Sequence, residues 1–153
     1  NRPLFNDRLT LAMAEAQRSG KKLAVIFLDL DNFKNVNDMM GHVVGDQLLL
    51  QAAERIRGEV RDMDTVARMG GDEFTFLIPL LTDRSEAEDI ARRVSNVLSA
   101  PFIVEGTQFN ISGSMGIALF PDVGTEDLAL MKHADMAMYE AKKAGKNTWR
   151  FWS

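Results

Sequence analysis

Two pairs of acids stand where a fold has least need of them. Asp29 and Asp31 close the apolar run Leu23–Leu28, and Asp72 and Glu73 follow directly on Gly70-Gly71. A short continuous apolar run reads as a strand buried on both faces, and Gly-Gly between two apolar runs reads as a tight turn. If those strands pair with suitable polarity, Asp29 and Asp72 meet on one edge. Two carboxylates that close repel each other unless a divalent cation lies between them, and Mg²⁺ suits a site of few carboxylates completed by water and substrate phosphates. The chemistry that follows is two-metal phosphoryl or nucleotidyl transfer. On spacing alone, the same acids serve equally well as solvated turn residues. Lys142 and Lys146 offer a similar choice, one helical turn apart near a helix C-terminus. Taken alone they are a solvated basic end that suits the helix dipole. Beside a carboxylate edge they are clamps for a distal phosphate.

Composition narrows the alternatives. A length of 153 residues suits one hydrophobic core. The absence of cysteine excludes a disulfide framework, a thiolate zinc site, a Cys nucleophile and an iron–sulfur cluster. The two histidines, His42 and His133, lie far apart, so a metal is expected to have oxygen ligands. The stretch from Asp29 to Met40 is no calcium loop, because Phe33, Lys34 and Met40 occupy its fifth, sixth and twelfth positions. No phosphate-binding Gly-x-x-x-x-Gly-Lys-Ser/Thr is present. With 22 acids against 18 Lys and Arg, a broad basic face for nucleic acid is not expected, although a few placed cations and a metal suffice for a small anion. The longest apolar runs fall well short of the roughly 18 to 20 residues of a membrane span. A chain opening on Asn1-Arg2-Pro3 without a signal peptide reads as a fragment of something longer.

The acids need elements to hold them. Phe5, Leu9, Ala12 and Ala16 share a helical face that ends at Gly20. A central strand is expected over 23–30, then a short helix over 32–40 broken by Gly41 and Gly45, then a helix over 46–61. Strands over 65–69 and 74–79 flank the Gly70-Gly71 turn. Ser85-Glu-Ala-Glu88 reads as a capping box for a helix that carries Ala87, Ile90, Ala91, Val94 and Leu98. Phe102–Val104 and Thr107–Phe120 flank Glu105-Gly106 as a second hairpin. Leu128, Met131, Ala134, Met138 and Ala141 mark a last helix, and Trp149–Trp152 a closing strand. Met131, Met136 and Met138 read as core or helix packing, His42 and His133 as structural. The order α-β-α-α-β-β-α-β-β-α-β, with hairpins as well as crossovers, predicts an α+β sandwich with a mixed, largely antiparallel sheet.

Taken together, these residues resemble a known family. Arg68-Met-Gly-Gly-Asp-Glu-Phe74 contains the Gly-Gly-Asp-Glu-Phe motif of the GGDEF diguanylate cyclases. Leu28-Asp-Leu-Asp-Asn-Phe-Lys34, Asn37-Asp38, Gly41-His42-x-x-Gly45-Asp46, Ser114-x-Gly-Ile-Ala118 and Ala134-Asp-x-Ala-Met-Tyr-x-Ala-Lys142-x-x-Gly-Lys-Asn147 are similar to the family at matching spacings. The resemblance spans essentially residues 1–150. It implies a nucleotidyl-cyclase or polymerase-palm-like, ferredoxin-like sandwich around a five-stranded sheet. It implies condensation of two GTP into cyclic di-GMP with release of two pyrophosphates, in a cytoplasmic setting, with membrane attachment of the parent protein left open.

Site roles follow from the resemblance position by position. Asp29 and Asp72 match the side-chain metal ligands, joined by the backbone carbonyl of Leu30, for Mg²⁺ or Mn²⁺, two per site. Glu73 matches the acid that serves a second metal or helps deprotonate the attacking 3′-hydroxyl. Asn37 and Asp46 match the guanine readers, and a carboxylate can accept from both N1–H and the 2-amino group, a donor pair adenine lacks. Lys34, with the backbone amides near Asn32 and Phe33, matches the β-phosphate contacts, and Lys142 with Lys146 the γ-phosphate contacts. The last position is often Arg in the family, so a point charge replaces a bidentate clamp. Gly70 and Gly71 serve the turn and close approach of the nucleotide. Arg61-Asp-Met-Asp64 fits the family's product-inhibition site, and Arg92 is a further candidate contact from the next helix. A second GGDEF domain is the expected catalytic partner, the isolated domain being mainly monomeric. The competing expectation is a catalytically silent module that senses GTP or cyclic di-GMP inside a hybrid with a phosphodiesterase domain. Asn147-Thr-Trp-Arg-Phe-Trp-Ser153 resembles the junction into such a domain.

Overall fold

The computed structural model describes residues 2–153. Helix α1 (Arg2–Ser19) precedes strand β1 (Lys22–Asp31), and two helices follow, α2 (Phe33–Met40) and α3 (His42–Arg57). The hairpin β2 (Thr65–Gly70) and β3 (Glu73–Leu81) leads into α4 (Arg84–Ser99). Strands β4 (Phe102–Val104), β5 (Thr107–Phe109) and β6 (Ser112–Phe120), helix α5 (Asp127–Lys143) and strand β7 (Trp149–Phe151) complete the chain. Five strands form a mixed sheet in the order β2-β3-β1-β6-β7, antiparallel except for the β6–β7 pair. The nearly unbroken apolar run of β1 is explained by its central place, with a strand on each side and helices on both faces.

Alternation along β1 sorts the core into two layers. Ala24, Ile26, Leu28 and Leu30 face α3 and α4, packing with Leu48, Ile56, Val94 and Leu98. Leu23 and Val25 face the other way, with Phe5 and Leu9 of α1 and Leu130 and Ala134 of α5. Because successive side chains point to opposite faces, this parity carries Asp29 and Asp31 to the α5 face. Helix α5 lies very close to β6 there: a Cβ on Gly116 would stand 2.0 Å from the Ala134 carbonyl. Only glycine allows that approach.

Several local expectations give way to tertiary geometry. The two-residue loop of the first hairpin is Gly71-Asp72 rather than Gly70-Gly71, since Gly70 pairs with Glu73 across a bulge at Met69. Gly71 supplies the left-handed residue at φ +48°. Helix α3 begins at His42, and Gly45 lies inside it, where it makes room rather than a break: a Cβ there would meet Asn37 Oδ1 at 2.3 Å. The N-cap of α4 is Asp83, not Ser85, and Glu86 reaches back to accept from the Thr82 amide at 3.0 Å. The expected strand over 107–120 divides, because β5 pairs with β4 in a separate ribbon while β6 joins the main sheet. Met136 is exposed on α5, unlike Met131 and Met138.

Candidate active site

The end of β1 and the first hairpin bring the acids together. Asp29 pairs opposite Glu73 in the antiparallel register, and the Leu30 amide donates to the Asp72 carbonyl at 3.1 Å. The turn is thereby stitched to the strand end, which brings Asp72 close enough to Asp29 to disfavour the charge on Asp29. Burial, together with Asp72, pushes the Asp29 carboxyl up to about 6 despite the opposing pull of Lys142. Burial and the charge of Asp29 likewise raise Glu73, which is otherwise exposed.

Asp29 is incompletely satisfied. Its Oδ2 is ion-paired with Lys142 Nζ at 3.1 Å, whereas its Oδ1 is buried without a hydrogen-bond partner among the described residues. A buried acceptor of this kind is costly unless something electropositive meets it. Hard oxygen donors, two adjacent carboxylates and an orphaned oxygen fit a small divalent cation. No three His, Asp or Glu side chains converge as a metal cage among the described residues. Asp29 and Asp72 are candidate side chains for holding one, with the Leu30 carbonyl on the same strand end. A Mg²⁺ site of two carboxylates leaves the rest of its shell to backbone, water and phosphate.

Asp31 is fully buried yet fully used. Its Oδ2 accepts from Ser112 Oγ at 2.6 Å and from the Asn147 amide at 3.0 Å, and its Oδ1 from Ser114 Oγ at 2.7 Å and Lys142 Nζ at 3.2 Å. Burial opposes its ionisation, but these donors outweigh burial and keep its carboxyl below the usual range. Burial also disfavours the Lys142 ammonium, and Asp29 and Asp31 outweigh it, so Lys142 sits above its ordinary value. The sequence singled out Asp31 as an acid but gave it no task. The Ser112-x-Ser114 alternation opposite β1 was the available signal, legible only once the register was known.

Beyond the acids, α2 starts at Asn32, which is left-handed at φ +64° and makes no side-chain cap. The amides of Phe33 and Lys34 in the first turn thus lack a side-chain cap and form a ready anion site. Phe33 is buried and anchors that turn, while Lys34 is exposed. Lys146 is not on α5 but in the loop after it, and its Nζ lies 3.2 Å from Asn32 Oδ1.

On the opposite face of the sheet, a cleft of about 460 Å³ runs between α3 and the first hairpin. Asp46 lines it at one end, Leu49, Ala53, Val66 and Phe74 give it apolar walls, and Arg68 stands beside the turn. Arg68 also donates to the Gly71 carbonyl at 2.8 Å. Asn37 is outside the cleft lining; it packs on Gly45 and its Nδ2 lies 3.1 Å from His42 Nδ1.

The Arg61 and Asp64 pair is locked to itself. Asp64, with no exposed side-chain surface, accepts from the Arg61 amide at 2.7 Å and from Arg61 Nη2 at 2.8 Å, and Nη2 also donates to the Pro79 carbonyl. Arg92 is held by Asp89 at 2.7 Å. It is Arg93, not Arg92, that shares a cavity with Arg61, alongside Glu86 and Asp89.

The chain is an α+β sandwich, a five-stranded mixed sheet between helix layers, with acids gathered at the end of its central strand. Comparison with known proteins narrows this. The family model "Diguanylate cyclase, GGDEF domain" matches residues 1–148. The bifunctional diguanylate cyclase/cyclic di-GMP phosphodiesterase MucR of Pseudomonas aeruginosa is 46% identical over 99% of this chain, which spans 22% of that protein's length. The crystal structure of the GGDEF domain of TpbB (YfiN), also from Pseudomonas aeruginosa, superposes with a TM-score of 0.98 at 40% identity, covering 100% of this chain and 96% of that one. The GGDEF domain of DgcB from Caulobacter crescentus, solved in complex with c-di-GMP, gives a TM-score of 0.89 at 29% identity, with coverage of 99% and 90%. The chain belongs to the GGDEF domain family of diguanylate cyclases.

Proposed function

We propose that this domain is an active diguanylate cyclase, joining two GTP into cyclic di-GMP with loss of two pyrophosphates. The observation that carries the reading is the buried, unpartnered Oδ1 of Asp29 beside Asp72.

The nucleotide straddles the end of the sheet. Its guanine enters the cleft on the α3 face, where Asp46 accepts from the guanine donors and Asn37, on the neighbouring helix, adds a second contact. Adenine leaves that carboxylate unpaired. The triphosphate crosses the end of β1 to the α5 face. There the backbone amides near Asn32 and Phe33, at the uncapped start of α2, and the ammonium of Lys34 hold the β-phosphate, and Lys142 and Lys146 neutralise the γ-phosphate. Asp29, Asp72 and the Leu30 carbonyl would hold Mg²⁺ or Mn²⁺, which when bound supplies charge stabilisation at the α-phosphate and acidifies the attacking hydroxyl. Glu73, raised by burial and by Asp29, is suited to take the proton from that 3′-hydroxyl. Each hydroxyl attacks the other nucleotide, so two loaded domains must face each other. The Arg61 and Asp64 loop serves as the product-inhibition site, binding cyclic di-GMP when the two side chains exchange their mutual contacts for phosphate and guanine.

The test is incubation of a dimer-enforced form with Mg²⁺ and GTP, followed by chromatography of the products, beside a GTP-binding titration. Cyclic di-GMP and pyrophosphate are expected in a 1:2 ratio by the stoichiometry of the reaction. Binding of GTP with no turnover would instead establish a sensing module.

A further inference from the structure

Asp31 takes no part in the proposed chemistry, yet it is the best-satisfied acid at the site. We propose that it is the positioning residue for the phosphate end, its carboxylate setting Lys142 and the Lys146-Asn147 turn in one fixed relation. The proposal rests on the nucleotide reading above.

A buried carboxylate needs donors on both oxygens. Ser112 and Ser114, both from the adjacent strand, supply one each. Those two bonds alone would fix Asp31 on the sheet. The other two donors come from elsewhere in the chain: Lys142 Nζ from α5, and the Asn147 amide from the loop that follows it. One carboxylate thus ties β1, β6, α5 and the loop after it.

The loop needs such a tie. Gly145, Lys146 and Asn147 adopt successive positive φ angles of 120°, 66° and 49°. For residues with a Cβ this conformation is unfavourable and persists only where surrounding structure imposes it. The Lys146 amide bonds back to the Ala141 carbonyl, and the Thr148 carbonyl accepts from Met115. The bond between them, from the Asn147 amide to Asp31, holds the left-handed pair against the end of β1. With the chain reversed in this way, Lys146 returns over the start of α2, where its Nζ meets Asn32 Oδ1 at 3.2 Å. Both lysines are therefore pre-set from a single buried charge. A triphosphate that meets them loses less affinity to the ordering of two long side chains.

Calorimetric titration of the 153-residue chain with GTP and with GMP in Mg²⁺ separates this from a merely structural role, since GMP lacks the phosphates that the lysines meet. Wild type should bind GTP more tightly than GMP. Asp31→Asn should weaken GTP by about tenfold or more and leave GMP within about twofold, with full stoichiometry and a cooperative melt. Ser112→Ala, which removes one donor from Oδ2, should weaken GTP about threefold with GMP unchanged. Equal affinities for wild type and a folded Asp31→Asn, or equal losses for the two nucleotides, would overturn the proposal. If Asp31→Asn does not melt cooperatively, an unchanged GTP-to-GMP ratio in Ser112→Ala overturns it instead. A wild type with no preference for GTP over GMP brings down the nucleotide reading and the proposal together, whereas intact wild-type preference with unaffected variants removes the proposal alone.

Discussion

At the scale of single residues, the proposed metal site would set proton and metal in competition for one carboxylate. Asp29 is held at about 6 in the folded protein against an ordinary 3.8. Between those values the metal-free folded state keeps a proton that the unfolded chain has released. Its contribution to stability is therefore fully present below the unfolded value and declines as pH rises toward 6. Mg²⁺ displaces the proton, so the rise in Tm on adding Mg²⁺ should be clear at about pH 7.5 and mostly lost at about pH 5. Equal shifts at both, measured by differential scanning fluorimetry, would place the metal elsewhere. Asp72→Ala removes the neighbouring ligand and should lower turnover by more than the roughly tenfold to hundredfold usual for outer-shell changes, as read by pyrophosphate release. Arg61→Ala should do two things at once. It should relieve inhibition by added cyclic di-GMP, and it should lower stability by about 1–3 kcal/mol, because buried Asp64 loses its cation. A melt and an inhibition curve on the same sample check both effects, and unchanged inhibition would remove Arg61 from the inhibitory site.

Elements matter here through where their ends meet. The parity of β1 sends Asp29 and Asp31 to the α5 face, and the α2–α3 junction lies on the side where the base is proposed to bind. Gly45 is the tightest point of that junction, since a Cβ would press on Asn37 Oδ1 at 2.3 Å. The clash is with the far end of a movable side chain, and Ala is preferred over Gly within a helix by up to about 1 kcal/mol. Gly45→Ala should accordingly leave Tm nearly unchanged while displacing Asn37, weakening GTP by about tenfold, the equivalent of one hydrogen bond, and ATP much less. A parallel loss for both nucleotides would mean that Asn37 does not read the base. The hairpin shows the same principle in a different form. A Gly-Gly pair announces a tight turn in any sequence, but the bulge at Met69 moved the loop to Gly71-Asp72. That shift puts Asp72 itself in the turn, with its carbonyl on Leu30 and its carboxyl beside Asp29.

For the molecule as a whole, the proposed reaction needs two copies of the site. The rate per domain should then rise with protein concentration in the isolated chain, and a fused dimerisation segment should raise it at low concentration. Strict proportionality between total rate and concentration would argue for a self-sufficient domain. The described residues include no helix long and apolar enough to cross a membrane. The chain spans 22% of the length of MucR and 35% of the length of TpbB, the relatives it matches.

Much of this was legible in the sequence because it depends on local spacing. Apolar periodicity marked most helices and strands, the cysteine-free composition left oxygen as the expected donor for any metal, and the motifs from Leu28 to Phe74 pointed to the family. What periodicity cannot carry is which strand lies beside which, and at what register. Only the tertiary structure opposed Asp29 to Glu73, split 107–120 between two sheets, moved Lys146 off its helix and set Arg93 rather than Arg92 beside Arg61. Asp31 is the clearest case: its four donors lie between 81 and 116 positions along the chain. A hydrogen bond between residues so distant in sequence forms only when the sheet has closed, so no local pattern could announce it.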